Sequence, residues 1–327
     1  MDTAIEFPIP VVDPRDGNPL HLSEEGFVAK DGVVFPLVGG AYRMLLPQER
    51  QANYSDSFGL QWNTFVGTQL DENGVDLSQK RFFAQTNWQN LDGETILEVG
   101  SGAGRFTRVI LRHTKAELYS VDYSAAVEAN YANNGPHPRL RLFQASVYAL
   151  PFPPRSFDKV FCFGVLQHTP DVKKTVECLA AMVKSGGQLA VDFYPIKGWW
   201  SKINAKYLLR PWTKNMNRER LMKTIRRNVP WMLSVADFSY KIGVGKVVNR
   251  FLPLCDVKVC LPEGLPPNRR IEWAVLDTFD MFSPAYDQPQ RISTVESWFR
   301  NLGFKDIFAG FVRYDGGCSA VVRGIAP

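Results

Sequence analysis

The spacing of apolar residues changes character several times along the chain. Between Glu94 and Phe193, short apolar runs of strand type alternate with segments in which apolar residues recur at helical spacing. The predicted strands cover 95–99, 118–121, 140–143, 159–163 and 188–193, and the predicted helices cover 105–112, 125–133 and 172–183. This alternation predicts an α/β fold, a mostly parallel sheet with helices on both faces. Strand-like sequence returns at 304–308 and 319–322, after a predicted helix at 294–301.

The segments that flank this alternating region have other patterns. Residues 1–50 contain short apolar runs separated by glycine, proline and aspartate, which is typical of small β-hairpins. Residues 51–93 are rich in aromatic residues and glutamine and are predicted to be helical, with a helix start at Asp76. Residues 196–265 interrupt the alternation with basic, aromatic sequence that is also predicted to be helical.

Composition places the chain among ordinary folded proteins. Hydrophobic residues make up 45% and charged residues 22% of the 327 residues, enough for one large core. The net charge of +5 is too small, by itself, to indicate a nucleic-acid partner. Five cysteines without CxxC spacing are typical of reduced thiols. Residues 1–10 lack a signal-peptide pattern and no long apolar run follows, so we predict a cytoplasmic protein.

The strongest motif is a glycine-rich turn between the first strand and the first helix of the alternating region. Gly100, Gly102 and Gly104 occupy alternating positions, and Glu98 precedes the first glycine by two residues. Glycines allow a tight turn and a close approach of the backbone to a ligand, and the following helix presents free N–H groups. The dinucleotide pattern GxGxxG fails because its sixth position is Arg105. A purely structural turn is the alternative interpretation.

Further motifs follow at the ends of later strands. Asp122 ends the second strand, where an acid can accept hydrogen bonds from both hydroxyls of a ribose. Its alternative role is to cap the next helix, a role for which Ser124 competes. The segment 144–152 follows the third strand, and the segment 163–171, which contains His168, follows the fourth.

The sequences LEVGSGAGRF, LPFPPRSFDKV and GVLQHTPD resemble, in order and spacing, class I methyltransferases that use S-adenosylmethionine (SAM), in particular the ubiquinone and menaquinone biosynthesis type. This resemblance implies a Rossmann-like sheet of seven strands with an antiparallel last strand. It places SAM across the carboxyl ends of strands one and two, with S-adenosylhomocysteine (SAH) as the product. The cofactor-binding residues expected in this core are Glu98, Gly100, Ser101, Gly102, Gly104, Asp122, Tyr123, Ser146, Val147 and Phe163. Ser146 stands where the family commonly has an aspartate, and its hydroxyl can still accept a bond from the adenine amino group.

Two flanking segments resemble bacterial methyltransferases from glycan and secondary-metabolite clusters. Residues 54–65, with Gln61 and Trp62, match a segment that caps the cofactor in that group, and residues 277–287 match one that lines the acceptor pocket. Members of the group often begin with a zinc ribbon. Here residues 13–16 stand where the first cysteine pair would fall, and Val28 and Asp31 where the second would, so we expect a hairpin module without metal.

These patterns divide the chain into five parts, and the resemblance covers most of them. The parts are a degenerate zinc-ribbon-like hairpin module at 1–50, a helical cap over the cofactor at 51–93, the SAM-binding core at 94–195, a basic aromatic helical insertion on the acceptor side at 196–265, and a C-terminal segment at 266–327. The last segment is expected to complete the sheet and the acceptor pocket.

Methyl transfer requires few catalytic groups, because the sulfonium is already activated and alignment supplies most of the rate. A hydroxyl or amine acceptor also benefits from a general base. The candidates are His168, Asp277, Asp280 and Tyr286, each with an alternative role in ordering its loop. We predict methylation of a small-molecule, sugar or lipid-linked acceptor, on oxygen first and nitrogen second. A SAM-fold protein that binds SAM or SAH without methyl transfer is the alternative.

The segment 196–250 carries thirteen lysines and arginines but only Glu219 and Asp237 as acids, with seven aromatic residues among them. Such helices can lie on an anionic membrane surface, bind phosphate groups of an acceptor, or form a lid with a solvated basic face. A nucleic-acid acceptor is disfavoured because no RNA-binding module accompanies the charge and no (D/N/S)PP(Y/F) motif follows strand four. The oligomeric state is left open.

Overall fold

The computed structural model describes residues 7–51, 53–70, 76–196, 198, 200, 203–315 and 317–327. Four residues of the basic insertion, Lys197, Trp199, Ser201 and Lys202, lie outside the described residues. The strands are β1 (His21–Ser23), β2 (Gly26–Val28), β3 (Val34–Val38), β4 (Ala41–Arg43), β5 (Thr95–Val99), β6 (Glu117–Asp122), β7 (Leu140–Gln144), β8 (Phe157–Cys162), β9 (Val183–Phe193), β10 (Lys305–Tyr314) and β11 (Gly317–Ile325).

The helices follow the predicted order, and one of them begins directly after Asp76, as predicted. Asp171 starts the helix after β8 by accepting a hydrogen bond from the N–H of Lys174 at 2.9 Å. The helices are α1 (Pro47–Gln51), α2 (Asp56–Thr64), α3 (Leu77–Thr86), α4 (Arg105–His113), α5 (Val127–Asn134), α6 (Val172–Met182), α7 (Ala205–Thr213), α8 (Arg218–Lys241), α9 (Gly245–Phe251), α10 (Pro267–Phe282) and α11 (Ile292–Asn301).

The strands from β5 to β11 form the sheet that the sequence predicts. β7, β6, β5, β8 and β9 lie side by side in parallel, and β11 lies antiparallel between β9 and β10. The predicted Rossmann-like fold is therefore confirmed. β9 begins at Val183 instead of 188, because Val183 already pairs with Phe157 ahead of a register shift. β10 runs beyond 308 because its hairpin with β11 continues to the pair Tyr314–Gly317.

The N-terminal hairpins extend this sheet instead of forming a separate layer. β4 pairs in parallel with β7, with Tyr42 opposite Phe143, so the described strands form one sheet in the order β1-β2-β3-β4-β7-β6-β5-β8-β9-β11-β10. Arg15 joins the two turns where zinc ligands would stand in the related group. Its guanidinium lies 2.6 Å from Asp13 and 2.7 Å from Asp31. That this module binds no metal stays a prediction, and the ion pairs are compatible with it.

Helices of the insertion build a second hydrophobic core beside the sheet. α8 packs against α10, and their buried residues include Val229, Leu233, Trp273 and Phe279. The sheet has core clusters of its own, so the helical core is stabilised by separate apolar packing. The five-part division of the chain stays a prediction.

This architecture leaves a cavity where the carboxyl ends of β5, β6 and β8 meet α2, α3 and α10. In open α/β sheets, ligands bind outside the carboxyl ends of the strands. Among the described residues, no helix is both long enough and apolar enough to cross a membrane.

Candidate active site

The cavity has a volume of about 1070 Å³, including space that is open to solvent at its mouth. Its floor is the glycine turn after β5 with the ends of β6, β7 and β8, and α2, α3 and α10 cover it. The predicted cofactor residues that line it are Gly100, Ser101, Gly102, Asp122, Tyr123, Val147, Phe163 and Trp62.

Backbone geometry explains why glycine recurs in the turn after β5. Gly100, Gly102 and Gly104 have φ angles of 84°, 52° and 81°, all in the left-handed region. A Cβ on Gly100 would lie 2.1 Å from Cγ2 of Val165, and one on Gly102 would lie 3.0 Å from the indole of Trp62. The turn is therefore enclosed by its neighbours on two sides. Gly104 directly precedes α4 and does not line the cavity.

Asp122 stands at the carboxyl end of β6, as predicted, and lines the cavity. Its Oδ2 accepts a hydrogen bond from the N–H of Gly102 at 2.8 Å. Its Oδ1 accepts from the N–H of Ser124 at 2.8 Å and from the Ser124 hydroxyl at 2.7 Å. Burial raises the pKa of this carboxyl. The same side chain thus orders the glycine turn, holds the start of the next segment and presents an acid to the cavity.

Aromatic and apolar side chains line the cavity next to Asp122. The rings of Tyr123 and Tyr54 are stacked, with centroids 4.7 Å apart and an angle of 16° between their planes. The Tyr123 hydroxyl donates to the carbonyl of Glu49 at 2.6 Å. Burial raises the pKa of Tyr123 to about 12, so this hydroxyl stays protonated. Together with Val147, these rings form an apolar wall suited to a purine.

Glu98 lies behind the cavity wall, although the motif predicts that it binds the cofactor. It is 1% exposed, and its carboxylate accepts hydrogen bonds from the hydroxyls of Thr107 on α4 and Ser120 on β6. Burial raises the pKa of Glu98 to about 7. In this arrangement Glu98 supports the strand below the glycine turn, and direct contact with the cofactor stays a prediction.

Two further predicted cofactor residues do not line the cavity. Ser146 is 2% exposed, and its Oγ accepts a hydrogen bond from the N–H of Tyr148 at 3.2 Å. Gln61 is buried on α2, and neither atom of its amide has a hydrogen-bond partner among the described residues. Their roles in cofactor binding stay predictions.

Arg81 on α3 is a cavity residue that sequence reasoning missed. Its guanidinium lies 5.5 Å from the ring centroid of Phe106 and donates to Asp192 at 2.9 Å. Asp192, in β9, is buried and also accepts from the N–H of Gly164 and from the amide of Gln85. The Nε of Arg81 is buried without a partner in the described part of the chain. A guanidinium held in this way suits a carboxylate ligand, but a lone arginine in a predicted helix carries no sequence signal of that role.

His168 lines the cavity from a single 3-10 turn, Leu166–His168, and is 5% exposed. Its Nδ1 lies 3.0 Å from the carbonyl oxygen of Tyr286. Because a carbonyl only accepts, Nδ1 carries the proton and the neutral ring presents a lone pair at Nε2. This Nε2 is buried with no hydrogen-bond partner among the described residues, and an oxygen of Asp280 lies 3.9 Å from it. Burial lowers the pKa of His168, so the ring is neutral at pH 7.

Asp280 and Tyr286 approach His168 in different ways. Asp280 lines the cavity and accepts a hydrogen bond from the hydroxyl of Tyr194 at 3.0 Å. Tyr286 reaches the site through its main-chain carbonyl, while its ring is 37% exposed and packs edge-on against Tyr54 at 5.6 Å. Of the four candidate catalytic residues, His168 and Asp280 therefore share the cavity.

Asp277 lies one turn before Asp280 on α10, outside the cavity, where the amide of Gln69 donates to it at 3.2 Å. Burial, with a contribution from Asp280, raises the pKa of Asp277 to about 8. With Cys255 and Cys260 it forms the one group of three potential metal ligands within the described residues, whose ligand atoms lie within 4.8 Å of one another. A neutral carboxyl is a poor metal ligand, and the absence of a metal stays a prediction.

An ion pair from the insertion borders the acceptor side, and sequence reasoning did not anticipate it. Nζ of Lys206 on α7 lies 2.7 Å from Asp287, and the two side chains are 13% and 1% exposed. The same ammonium lies 4.5 Å from the ring centroid of Tyr194. The sequence marks Lys206 only as part of a basic segment, because the spacing of residues 206 and 287 gives no sign of contact.

The chemistry of the cavity fits SAM. Buried polar atoms at its wall, namely Oγ of Ser101, Nε of Arg81 and Nε2 of His168, have no partner among the described residues. Such atoms are rare unless water or a ligand satisfies them. An open α/β sheet with a glycine turn after its first core strand, an acid at the end of the second and a cavity above both defines the cofactor-binding core of a class I methyltransferase.

Comparison with known families agrees with this class. Residues 97–191 match the family model described as "Methyltransferase domain". This part of the chain is a class I methyltransferase domain, and SAM is the cofactor of that class, as the glycine turn predicts.

Curated relatives match over parts of their length. A tRNA U34 carboxymethyltransferase of Campylobacter curvus is 27% identical, over 34% of this chain and 42% of the relative. A ubiquinone biosynthesis O-methyltransferase of Pseudomonas fluorescens is 26% identical, over 38% of this chain and 58% of the relative. Phosphoethanolamine N-methyltransferase 2 of Caenorhabditis elegans is 27% identical, over 65% of this chain and 44% of the relative. The chain thus spans less than two thirds of the length of these relatives.

Among solved structures, magnesium protoporphyrin IX methyltransferase from Synechocystis PCC 6803 with bound SAH is 15% identical. The match covers 86% of this chain and 100% of that one, with a TM-score of 0.46. The acceptors of the named relatives differ from one another, so the acceptor has to be inferred from the site.

Proposed function

We propose that this protein transfers the methyl group of SAM to a hydroxyl group of a small polar acceptor, with sugar hydroxyls as the first class, and that His168 is the general base. The observation that carries this proposal is the unpartnered Nε2 of His168 on the cavity that also contains the glycine turn and Asp122. SAM, when bound, supplies an electrophilic methyl carbon and a neutral thioether leaving group. The chain itself must bind SAM, orient the acceptor and take up one proton.

Each part of SAM has a chemical counterpart in the cavity. The guanidinium of Arg81 suits the carboxylate of the methionine part, and the carboxylate of Asp122 suits the ribose hydroxyls. The rings of Tyr54 and Tyr123 with Val147 suit the adenine. These three assignments support the choice of cofactor residues within the proposal.

A hydroxyl acceptor loses its proton when its oxygen gains the methyl group. Nε2 of His168 can take this proton because the carbonyl of Tyr286 holds the ring in the Nδ1–H form. The ring then becomes an imidazolium, and Asp280, 3.9 Å from Nε2, stabilises the new charge. The hydrogen bond from Tyr194 holds this carboxylate in place.

The surroundings of Nε2 favour an acceptor with both an apolar face and several hydroxyls. Ring centroids of Phe58 and Tyr194 lie 5.1 Å and 5.7 Å from that of His168. Asp280 and Arg105 contribute charged groups to the same cavity. A sugar ring offers C–H surface to aromatic rings and hydroxyls to charged groups, which is why we rank sugars before purely apolar acceptors.

The test combines cofactor binding with identification of the methylated atom. The full chain is titrated calorimetrically with SAM and SAH, and is then incubated with SAM that carries a deuterated methyl group. Three acceptor sets are offered separately: sugars and glycosides, phenols and quinols, and primary amines. Mass spectrometry and NMR of the products should identify a deuterated O-methyl group, first in the sugar set.

Other outcomes would revise the proposal in defined ways. Binding of SAM without transfer to any set would favour a SAM-binding protein without transferase activity. Transfer to the amine set alone would assign N-methylation and remove His168 from the role of hydroxyl base. Failure of folded protein to bind SAM or SAH would overturn the whole proposal.

A further inference from the structure

Helix α8 presents an apolar stripe to solvent on the side opposite its buried face. The stripe consists of Trp231, Val235, Phe238 and Ile242, spaced by four, three and four residues, which places them on one face of the helix and its C-terminal turn. Trp231 is 51% exposed and Phe238 is 63% exposed. The other face of α8 is buried against α10, so these side chains are additional to the helical core.

A second stripe continues on the neighbouring helix. α9 packs on α8, and the contact is so close that a Cβ on Gly245 would lie 2.3 Å from the ring of Tyr240. The exposed apolar residues of α9 and of the turn before it are Val244, Val247 and Phe251, spaced by three and four residues. Seven large apolar side chains on two adjacent helices exceed the scattered exposure of ordinary surfaces and mark an interaction surface.

Cations border this surface, which we call the α8–α9 patch. Arg227 lies one helical turn before Trp231. Lys241 is next to Ile242 in the sequence, and Lys246 is next to Val247. Within the described residues, none of these three cations forms an ion pair. The segment 214–251 contains only two acids, and one of them, Asp237, is bound by Arg270 at 2.6 Å and 2.7 Å. The patch is therefore apolar with a cationic border.

We infer that the α8–α9 patch binds the surface of an anionic lipid bilayer. An aromatic and aliphatic face with lysine and arginine beside it matches the boundary between acyl chains and anionic headgroups. Charge decides against a second copy of this chain, because an isologous contact would bring the two cationic borders together. The inference goes beyond the proposed methyl transfer and does not depend on it.

Contact with a bilayer would act on the helix that carries Asp280. Asp237 on the last part of α8 is tied to Arg270 on α10, and α10 places Asp280 in the cavity. The bilayer contact therefore lies behind the acceptor side of the site, one helix away from it. This position would keep the protein close to acceptors delivered at a membrane surface.

The inference is tested by sedimentation of the full chain with two kinds of vesicle, phosphatidylcholine alone and phosphatidylcholine with about a third phosphatidylglycerol. The protein should sediment with the anionic vesicles, bind phosphatidylcholine at least about tenfold more weakly, and lose binding as salt is raised. The double variant Trp231→Ser, Phe238→Ser should lose at least about tenfold in partitioning. The variant Lys241→Glu, Lys246→Glu should lose the preference for anionic vesicles.

A matched control places the same kind of change on another exposed face. The double variant Leu22→Ser, Val38→Ser removes two side chains that are each 51% exposed on the N-terminal hairpins, and it should bind vesicles like the wild type. Unchanged affinity for SAH shows that each variant is folded. Equal binding by the Trp231, Phe238 variant, or no binding to anionic vesicles by the wild type, overturns the inference. So does a stable dimer, seen by light scattering, that this variant alone dissociates.

Discussion

The cavity has two halves that differ in how their residues are distributed along the chain. Most of the cofactor half, namely the glycine turn, Asp122, Tyr123 and Val147, comes from the segment between 100 and 147, and Tyr54 and Arg81 add to it from the helical segment before it. The acceptor half consists of His168 and Asp280 in the cavity, with Tyr194, Lys206 and Asp287 at its border; they come from the turns after β8 and β9, from α7, from α10 and from the loop after it. The first is held by strand ends of one sheet, and the second by packing of separate elements.

This difference has a consequence for function. The cofactor half depends on the parallel pairing of β5 with β6 and on local hydrogen bonds such as that between Asp122 and Gly102. The acceptor half depends on the rotation of α10, which is set by its packing against α8. Changes in one half should therefore leave the other half largely intact, and this expectation can be tested with single substitutions.

The largest effect is expected in the acceptor half, for His168→Gln. The variant loses the lone pair that takes up the acceptor proton, so kcat should fall about 10² to 10⁴-fold. Affinity for SAM should stay within about twofold, because the cofactor half is unchanged. His113→Gln, which alters an exposed histidine at the end of α4, is the control and should keep full activity. Equal loss of SAM binding and kcat in His168→Gln would contradict the separation of the halves.

The pH profile sharpens this prediction. A general base acts when deprotonated, and burial lowers the pKa of His168 below its ordinary value of 6.5. The wild-type kcat should therefore rise with pH in the acid range and be level from about neutral pH upward. The residual activity of His168→Gln should lack this rise. A wild-type profile that still climbs above neutral pH would point to another base.

A large effect on stability is expected from Glu98→Gln beneath the cofactor half. The pKa of Glu98 is raised from 4.5 to about 7 in the folded chain, so the unfolded chain ionises first as pH rises. The contribution of Glu98 to the free energy of unfolding is therefore fully present below pH 4.5 and is lost between pH 4.5 and about 7. Because glutamine does not ionise, the variant should not lose this contribution, and its free energy of unfolding at neutral pH should exceed that of the wild type by about 3 kcal/mol.

The check for Glu98 is chemical denaturation at several pH values between 4.5 and 8. Glu263→Gln, in an exposed position, is the control and should follow the wild type. Because the amide oxygen that Glu98→Gln introduces can still accept from Thr107 and Ser120, the variant should stay folded. A difference between variant and wild type that is independent of pH would show that Glu98 is ionised in the folded chain.

A smaller effect is expected from Asp122→Ala in the cofactor half. Loss of a carboxylate that accepts hydrogen bonds should raise the Kd for SAH about 30-fold, corresponding to about 2 kcal/mol. Ser124→Ala is the matched control, because it removes a hydrogen bond to Asp122 while leaving the carboxylate at the cavity. Calorimetric titration should show less than about threefold change in that control. Similar losses in both variants would mean that Asp122 acts only by ordering the turn.

The smallest of these effects is expected from Arg81→Met. Loss of one charge-assisted contact should raise the Kd for SAM about tenfold. Affinity for methylthioadenosine, which lacks the methionine carboxylate, should not change. Gln85→Leu is the control because Gln85 also donates to Asp192 but does not line the cavity. Equal weakening of both ligands in Arg81→Met would show that Arg81 acts through Asp192 alone.

Some site residues were predictable because the signal is local. Gly100 and Gly102 have to be glycine for the turn to form, and Asp122 follows from the end of the next strand. Arg81 and Tyr194 carry no such signal, because a single arginine or tyrosine becomes a site residue only through the packing of its element. Their roles emerge only because α3 and the end of β9 meet the cavity and its rim.

Glu98 and Asp277 show that closeness along the chain to a site residue does not determine whether a side chain faces the cavity. Glu98 stands two residues before the glycine turn, yet its side chain lies against Thr107 and Ser120 behind the cavity. Successive strand residues point to opposite faces, so nearness along the chain does not select the face. Asp277 and Asp280 lie one turn apart on α10, and only Asp280 lines the cavity.

The amino-acid pattern alone was sufficient for the Rossmann-like sheet, the glycine turn and the acid after β6, because each arises from interactions within a strand, a turn or a neighbouring strand pair. Tertiary structure alone decided that β4 joins the sheet at β7, and that Tyr286 fixes the tautomer of His168. It also decided that Asp280 and not Asp277 faces the cavity. These outcomes depend on contacts between residues more than a hundred positions apart or on the rotation of a helix, and both are set by how whole elements pack to bury their apolar faces.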